Sequence, residues 1–384
     1  MAWLVYRLTG SELLLGTVAF CSQIPAFLMS PVAGVVADKH DRRKLLMITQ
    51  SLGAVEAFIL AFLVLSNLIQ PWHIVLTSVF IGIVNAFDMP TRQALVPQLV
   101  EDKAILPNAI ALNSTQFNIA RLIGPALAGV TVAAVGEGWC FLINGVSFAC
   151  VLIALKMMHL EPPVIQTSSE KPISRLKAGA VYAWNHEPIR ALLQLMALTS
   201  LVSGSYTVLL PVIAKSTFHG SSVTYSLLSS GVAVGALFAA YSLARRRSVV
   251  GLTRWIVQSA LVFNLSLAAL AFTGNFYVSL PVLAFLGFGI MRHMGSTNTL
   301  IQTLVDDSMR GRVMSFYMMS FVGTMPIGSL AGGAISDAIG TEGSLLISAT
   351  VGLCGVAAFY FALPKIRKVL RPIYEQMGIL EPVS

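Results

Sequence analysis

Apolar runs of about 20 residues recur along this chain, and in hydrocarbon such a run has one stable form, a helix that satisfies its own backbone. They are read at 13–36, 45–66, 72–90, 108–134 and 139–157, then at 189–213, 223–244, 253–273, 276–296, 311–335 and 342–363. That makes eleven full spans. Ahead of them, MAWLVYRLTGSE offers only a short apolar piece before Arg7 and lacks the features of a signal peptide, so it reads as the tail of another span. The expectation is an all-α polytopic membrane protein. Composition agrees: 56% of the 384 residues are hydrophobic and 11% charged, with mean hydropathy +0.78. These values exclude soluble, disordered and disulfide-stapled chains. Cys21, Cys140, Cys150 and Cys354 all lie in apolar runs and read as small embedded side chains.

Basic residues set the sidedness. The alternate loops 38–44, 91–107, 156–190, 244–254 and 297–312, with the tail from 364, hold 21 of the 25 Lys and Arg. The opposite loops hold only Arg7 and Lys215, while Arg121 and Arg292 fall inside spans. The crowded side, with loops 38–44 and 158–188 and the C-terminus, is therefore expected to be cytoplasmic. The net charge of +8 is topological, directed at lipid head groups, with no nucleic-acid partner implied.

The chain also repeats. TRQALVPQLVED at 91–102 resembles TNTLIQTLVDD at 297–307, with Leu95, Leu99 and Val100 falling on Leu300, Leu304 and Val305. The expected organisation is an N-terminal bundle over 1–157, a linker over 158–188, a C-terminal bundle over 189–364 and a tail over 365–384. Ile173, Leu176, Ala180 and Trp184 recur at helical spacing in the linker, which predicts a short amphipathic helix on the inner leaflet. Gly10-Ser11 falls on Gly220-Ser221, so the repeat predicts about twenty further residues of helix ahead of Met1 and a truncated first helix.

Several segments carry a family resemblance. GVVADKHDRRK, with Gly34, Asp38, Arg42 and Arg43, resembles the loop signature of the major facilitator superfamily, with Asp41 standing at its second glycine. NAFDMPTRQALVPQLV at 85–100 and NAIALNSTQFNIARLIGPALAG at 108–129 are similar to the branch containing the enterobactin exporter, macrolide efflux pumps and transmembrane secretion effectors. The resemblance implies two pseudo-symmetric six-helix bundles and a loop aspartate that latches onto a helix N-terminus in the outward-facing state. It also implies an exporter motif on the fifth helix, matched by Gly124, Pro125 and Gly129, where small residues allow close approach and proline bends the helix.

Charge inside a span is costly and marks function by default. Glu56 and Arg121 fall at similar depths near the midplane and are candidates for a proton-coupling pair. Asp88 and Arg92, one turn apart, are expected to join the loop latch. Ser114, Asn118, Arg121 and Pro125 share one face of the fifth helix, the candidate cavity wall, extended by Ser203, Tyr206 and Arg292 from the second half. Interhelical hydrogen bonding is an equal reading of these polar stripes. No phosphate loop, zinc spacing or nucleophile elbow is present, so neither enzyme chemistry, a metal nor a cofactor is implied. The family resemblance implies a secondary transporter in the plasma (inner) membrane, expected to be monomeric and to export a small amphiphile of siderophore or drug type in exchange for protons. The rival reading is a non-transporting sensor or an inactive truncated transporter.

Overall fold

The computed structural model describes residues 1–100, 105–158, 172–246 and 248–376. Its elements, in chain order, are α1 (Ala2–Thr9), α2 (Glu12–Lys39), α3 (Arg42–Leu65), α4 (Pro71–Leu95), α5 (Leu106–Val135), α6 (Glu137–Met157) and α7 (Pro172–Asn185). There follow α8 (Glu187–Val212), α9 (Ser222–Ala244), α10 (Leu252–Ala271), α11 (Phe276–Leu304), α12 (Asp307–Val322) and α13 (Met325–Gln376). No strand occurs among the described residues. Among them, nine stretches are long and apolar enough to cross a membrane. Large apolar side chains such as Phe62, Phe238, Phe285 and Phe361 are exposed, as suits a lipid-facing surface.

Local chemistry sets the helix ends. Gly10, at φ 64, closes α1 with its N–H on the Tyr6 carbonyl, and Ser11 Oγ then accepts from Leu14 N at 3.2 Å to open α2. Asp41 caps α3, accepting from the backbone N–H groups of Arg43 at 2.9 Å and Lys44 at 3.3 Å. The α2–α3 turn therefore works without the glycine of the family signature, because it is built as an N-cap with φ −60. The 52-residue α13 is interrupted at Gly340, whose φ of 86 breaks the helix and separates a crossing before it from one after it.

The chain divides into two compact units, one comprising the described parts of Met1–Ser169 with Ala214–Leu227, the other those of Glu170–Ile213 with Leu228–Ser384. In the first, α2 packs on α4 and α3 packs on both α4 and α6. In the second, α8 and α10 pack on α13, and α10 packs on α11. Its core joins Ile189, Leu192 and Met196 of α8 to Ile256 and Ala260 of α10, and to Val356 and Phe359 of α13. The small residues are working contacts: a Cβ at Gly235 of α9 would overlap the Ala284 carbonyl of α11, and one at Gly328 of α13 the Leu201 carbonyl of α8.

Two segments flank the main helices of the second unit. Within that unit the helix α7 packs through Gly179, on Arg312 and Phe316, and through Ala183, whereas Trp184 is exposed under the guanidinium of Arg190. The segment from 365 stays helical to Gln376 and buries Ile366, Leu370 and Tyr374 in the second unit's core, so a recurring apolar residue every four positions extends the bundle.

Candidate substrate and coupling site

At the basic end of the first unit, one carboxylate gathers two helices. Asp88 of α4 is 7% exposed; its Oδ1 accepts from Thr49 Oγ1 at 2.8 Å and Gln50 Nε2 at 2.6 Å, both on α3. Its Oδ2 accepts from Arg92 Nη2 at 2.7 Å, one turn along the same helix. In the next layer, Arg42 Nη1 donates to the Ala94 carbonyl at 3.1 Å. Arg43 donates Nε to the Leu155 carbonyl and Nη2 to the Lys156 carbonyl, each at 2.6 Å. These last carbonyls of α6 lack intrahelical donors, and a planar guanidinium supplies two at once. Arg42, Arg43, Asp88 and Arg92 thus fasten α3 to α4 and α6 within one unit. Gly34 and Asp38 lie on α2, with side chains outside the described residues.

Glu56 lies four turns into α3 and is 4% exposed, with Oε1 buried and without a hydrogen-bond partner. Its expected partner Arg121 lies on α5 with Ser114 and Asn118, and the side chains of all three are outside the described residues. Of the exporter-motif residues, Gly124 has open space where a Cβ would stand, Pro125 lies inside a helix that runs on past it, and Gly129 meets α9. A side chain at Gly129 would collide with Ser226, and Ser222 Oγ donates to the Gly129 carbonyl at 3.4 Å.

In the second unit, Ser203 is 2% and Tyr206 8% exposed, and Tyr206 meets Phe263 of α10 edge-on at 6.1 Å. This stripe packs between helices in the conformation observed. Arg292 does not join it; its guanidinium lies 3.6 Å from the ring centroid of Trp255 on α10. Beside it His293 is fully buried. Outside the spans, burial raises the Tyr182 phenol above its ordinary pKa, and its hydroxyl donates to Asp306 Oδ2 at 3.2 Å, tying α7 to the start of α12. No cluster of three metal-ligating side chains occurs among the described residues.

Thr49, Gln50 and Trp255 were not singled out by the sequence. The adjacent polar pair inside the apolar run 45–66 was a usable signal for the first two, since a polar side chain in hydrocarbon seeks a partner. Trp255 carried none beyond its place near a span end.

These apolar helices and their lipid-facing surface define a multi-pass membrane protein. Its fold is that of the nucleoside transporter NupG, with a TM-score of 0.69 at 16% identity over 94% of this chain and 93% of that one. Residues 1–375 match the family model of the transmembrane secretion effectors, and the chain belongs to that family of major facilitator transporters. It is 28% identical to the Staphyloferrin A transporter of Staphylococcus aureus, over 95% of this chain and 91% of the relative. It is 23% identical to the multidrug efflux pump Tap of Mycolicibacterium fortuitum, over 96% and 91%.

Proposed function

We propose that this chain is a secondary active exporter of a small amphiphilic molecule, of siderophore or drug type, working by alternating access in exchange for protons. Family membership over residues 1–375 is the observation that carries the reading. The relatives' names, one a siderophore-type transporter and one a multidrug pump, supply the cargo class. In this reading α1 to α6 form one bundle. The other comprises α8 to α11, then α12 with α13 up to Gly340, and finally the rest of α13, with α7 as the linker helix. The polar face of α5, Ser114, Asn118 and Arg121, is the cargo-contacting stripe of its own bundle, and Ser203 and Tyr206 of α8 are that of theirs. Asp38 with Arg42 and Arg43 sets the gate on the basic, cytoplasmic side. Glu56 carries the proton, because a buried carboxyl without a hydrogen-bond partner at Oε1 is stable when neutral and unstable when charged. The protein works as a monomer in the plasma (inner) membrane.

The test is transport by purified protein in proteoliposomes. A pH gradient should drive accumulation of a hydrophobic dye or an iron-free carboxylate siderophore, and a protonophore should abolish it. Binding of both probes without flux under any gradient would instead establish the sensor reading.

A further inference from the structure

Two arginines share one indole in the second unit. The guanidinium carbon of Arg292, on α11, lies 3.6 Å from the Trp255 ring centroid, and that of Arg246, just beyond α9, lies 4.1 Å from it. An aromatic face attracts each cation but leaves their mutual repulsion uncompensated. The ion pairs among the described residues join other groups, Arg7 to Glu137, Arg92 to Asp88 and Arg371 to Glu375. The sequence from 245 to 254 holds four arginines and no acid. No acidic residue occupies the first turn of α10, whose N-cap Gly251 supplies no side-chain cap, so the positive helix end faces the same region.

The two cations are held in place. Arg246 donates Nε to the Ser248 carbonyl at 2.6 Å and Nη2 to the Val250 carbonyl. Arg292 is fixed by Trp255 and by Phe288, 5.4 Å away, while its Nε is buried without a hydrogen-bond partner. Trp255 stands in the first turn of α10, at the membrane end of the span, where indole rings settle at head-group level. A second arginine–aromatic pair, Arg245 over Tyr241 at 5.6 Å, lies on the same rim. We propose that Arg246, Trp255 and Arg292 form a binding site for the phosphate of an anionic phospholipid head group. The site needs only that the chain spans a bilayer, so it stands or falls separately from export. Anchoring by a lipid phosphate would also account for an arginine within α11 turned onto an aromatic ring at the rim.

The experiment uses the full chain in mild detergent, titrated with phosphatidylglycerol, phosphatidylcholine or inorganic phosphate, and reads thermal stability together with lipid retention in native mass spectrometry. Phosphatidylglycerol should raise the unfolding temperature and stay bound as discrete adducts, whereas phosphatidylcholine should do neither. Arg246→Gln with Arg292→Gln should weaken the phosphatidylglycerol response roughly thirtyfold, each single variant about fivefold. Arg367→Gln, at another basic site, should leave it unchanged. If the double variant does not fold, the two single variants and Trp255→Leu decide. An unaltered response in those variants overturns the proposal. A full response to inorganic phosphate alone overturns the lipid assignment and leaves a soluble oxyanion site.

Discussion

Gln50 on α3 donates its Nε2 to Asp88 Oδ1 on α4 at 2.6 Å, inside the protein and away from water. Removing the acceptor leaves Gln50 and Arg92 without their shared partner, whereas Thr49 Oγ1 keeps its bond to the Leu46 carbonyl at 3.1 Å. Asp88→Ala should therefore cost about 1–3 kcal/mol. Arg92→Ala should cost less than about 1 kcal/mol, since the Arg92 side chain is 59% exposed and its ion pair is screened. Unfolding of the detergent-solubilised variants measures both, and equal losses would show that the ion pair, not the buried amide, dominates.

The approach of α5 to α9 makes a steric prediction. A methyl group at Gly129 would collide with the Ser226 side chain, so Gly129→Ala should destabilise the protein by about 1–3 kcal/mol. Ser226→Gly removes the colliding atoms, and the double variant should recover most of the loss. Thermal unfolding of the two singles and the double closes the cycle. A simple sum of the two losses would mean that the residues do not touch.

The helices were legible because hydrocarbon leaves few alternatives. The run read at 45–66 is α3 at Arg42–Leu65, and that at 72–90 is α4 at Pro71–Leu95, extended by the basic loop into which the helix runs. Lengths past the bilayer were not legible, because apolarity reports where a helix meets lipid and not where it ends. That is why 276–296 grew into Phe276–Leu304. The polar partners of the site were harder still. Asp88 was found by its charge, but its bonds to Thr49 and Gln50 depend on which faces of α3 and α4 meet, and almost uniformly apolar helices carry little periodic signal to say so. Arg292 shows the same limit: its position inside a span was plain, while the direction of its long side chain, toward Trp255 at the rim, depends on packing.

Sidedness is open to a direct check. The 21 basic residues on one set of loops predict Ser248 inside and Ser221 outside. Both residues are exposed. With the four free cysteines replaced, a single cysteine at Ser221 should react with an impermeant maleimide in intact cells, and one at Ser248 only after permeabilisation. The reverse pattern would invert the topology.

Coupling through Glu56 makes the most exposed prediction. A carboxyl buried at mid-span with Oε1 unpartnered can hold a proton stably and must find a cation or water when it loses it. In the proposed cycle that cation is Arg121 on α5, released to attract an anionic group of the cargo whenever Glu56 is protonated. Glu56→Gln mimics the protonated state permanently. It should insert and fold normally and exchange labelled for unlabelled substrate across proteoliposomes. Accumulation driven by a pH gradient should fall to background, because no proton can leave the site. Arg121→Lys keeps the charge but loses the planar fork and should lose most transport in both assays. If Glu56→Gln accumulates substrate against its gradient as well as the parent protein does, the proton is carried elsewhere. Arg121 must then be balanced by the cargo itself.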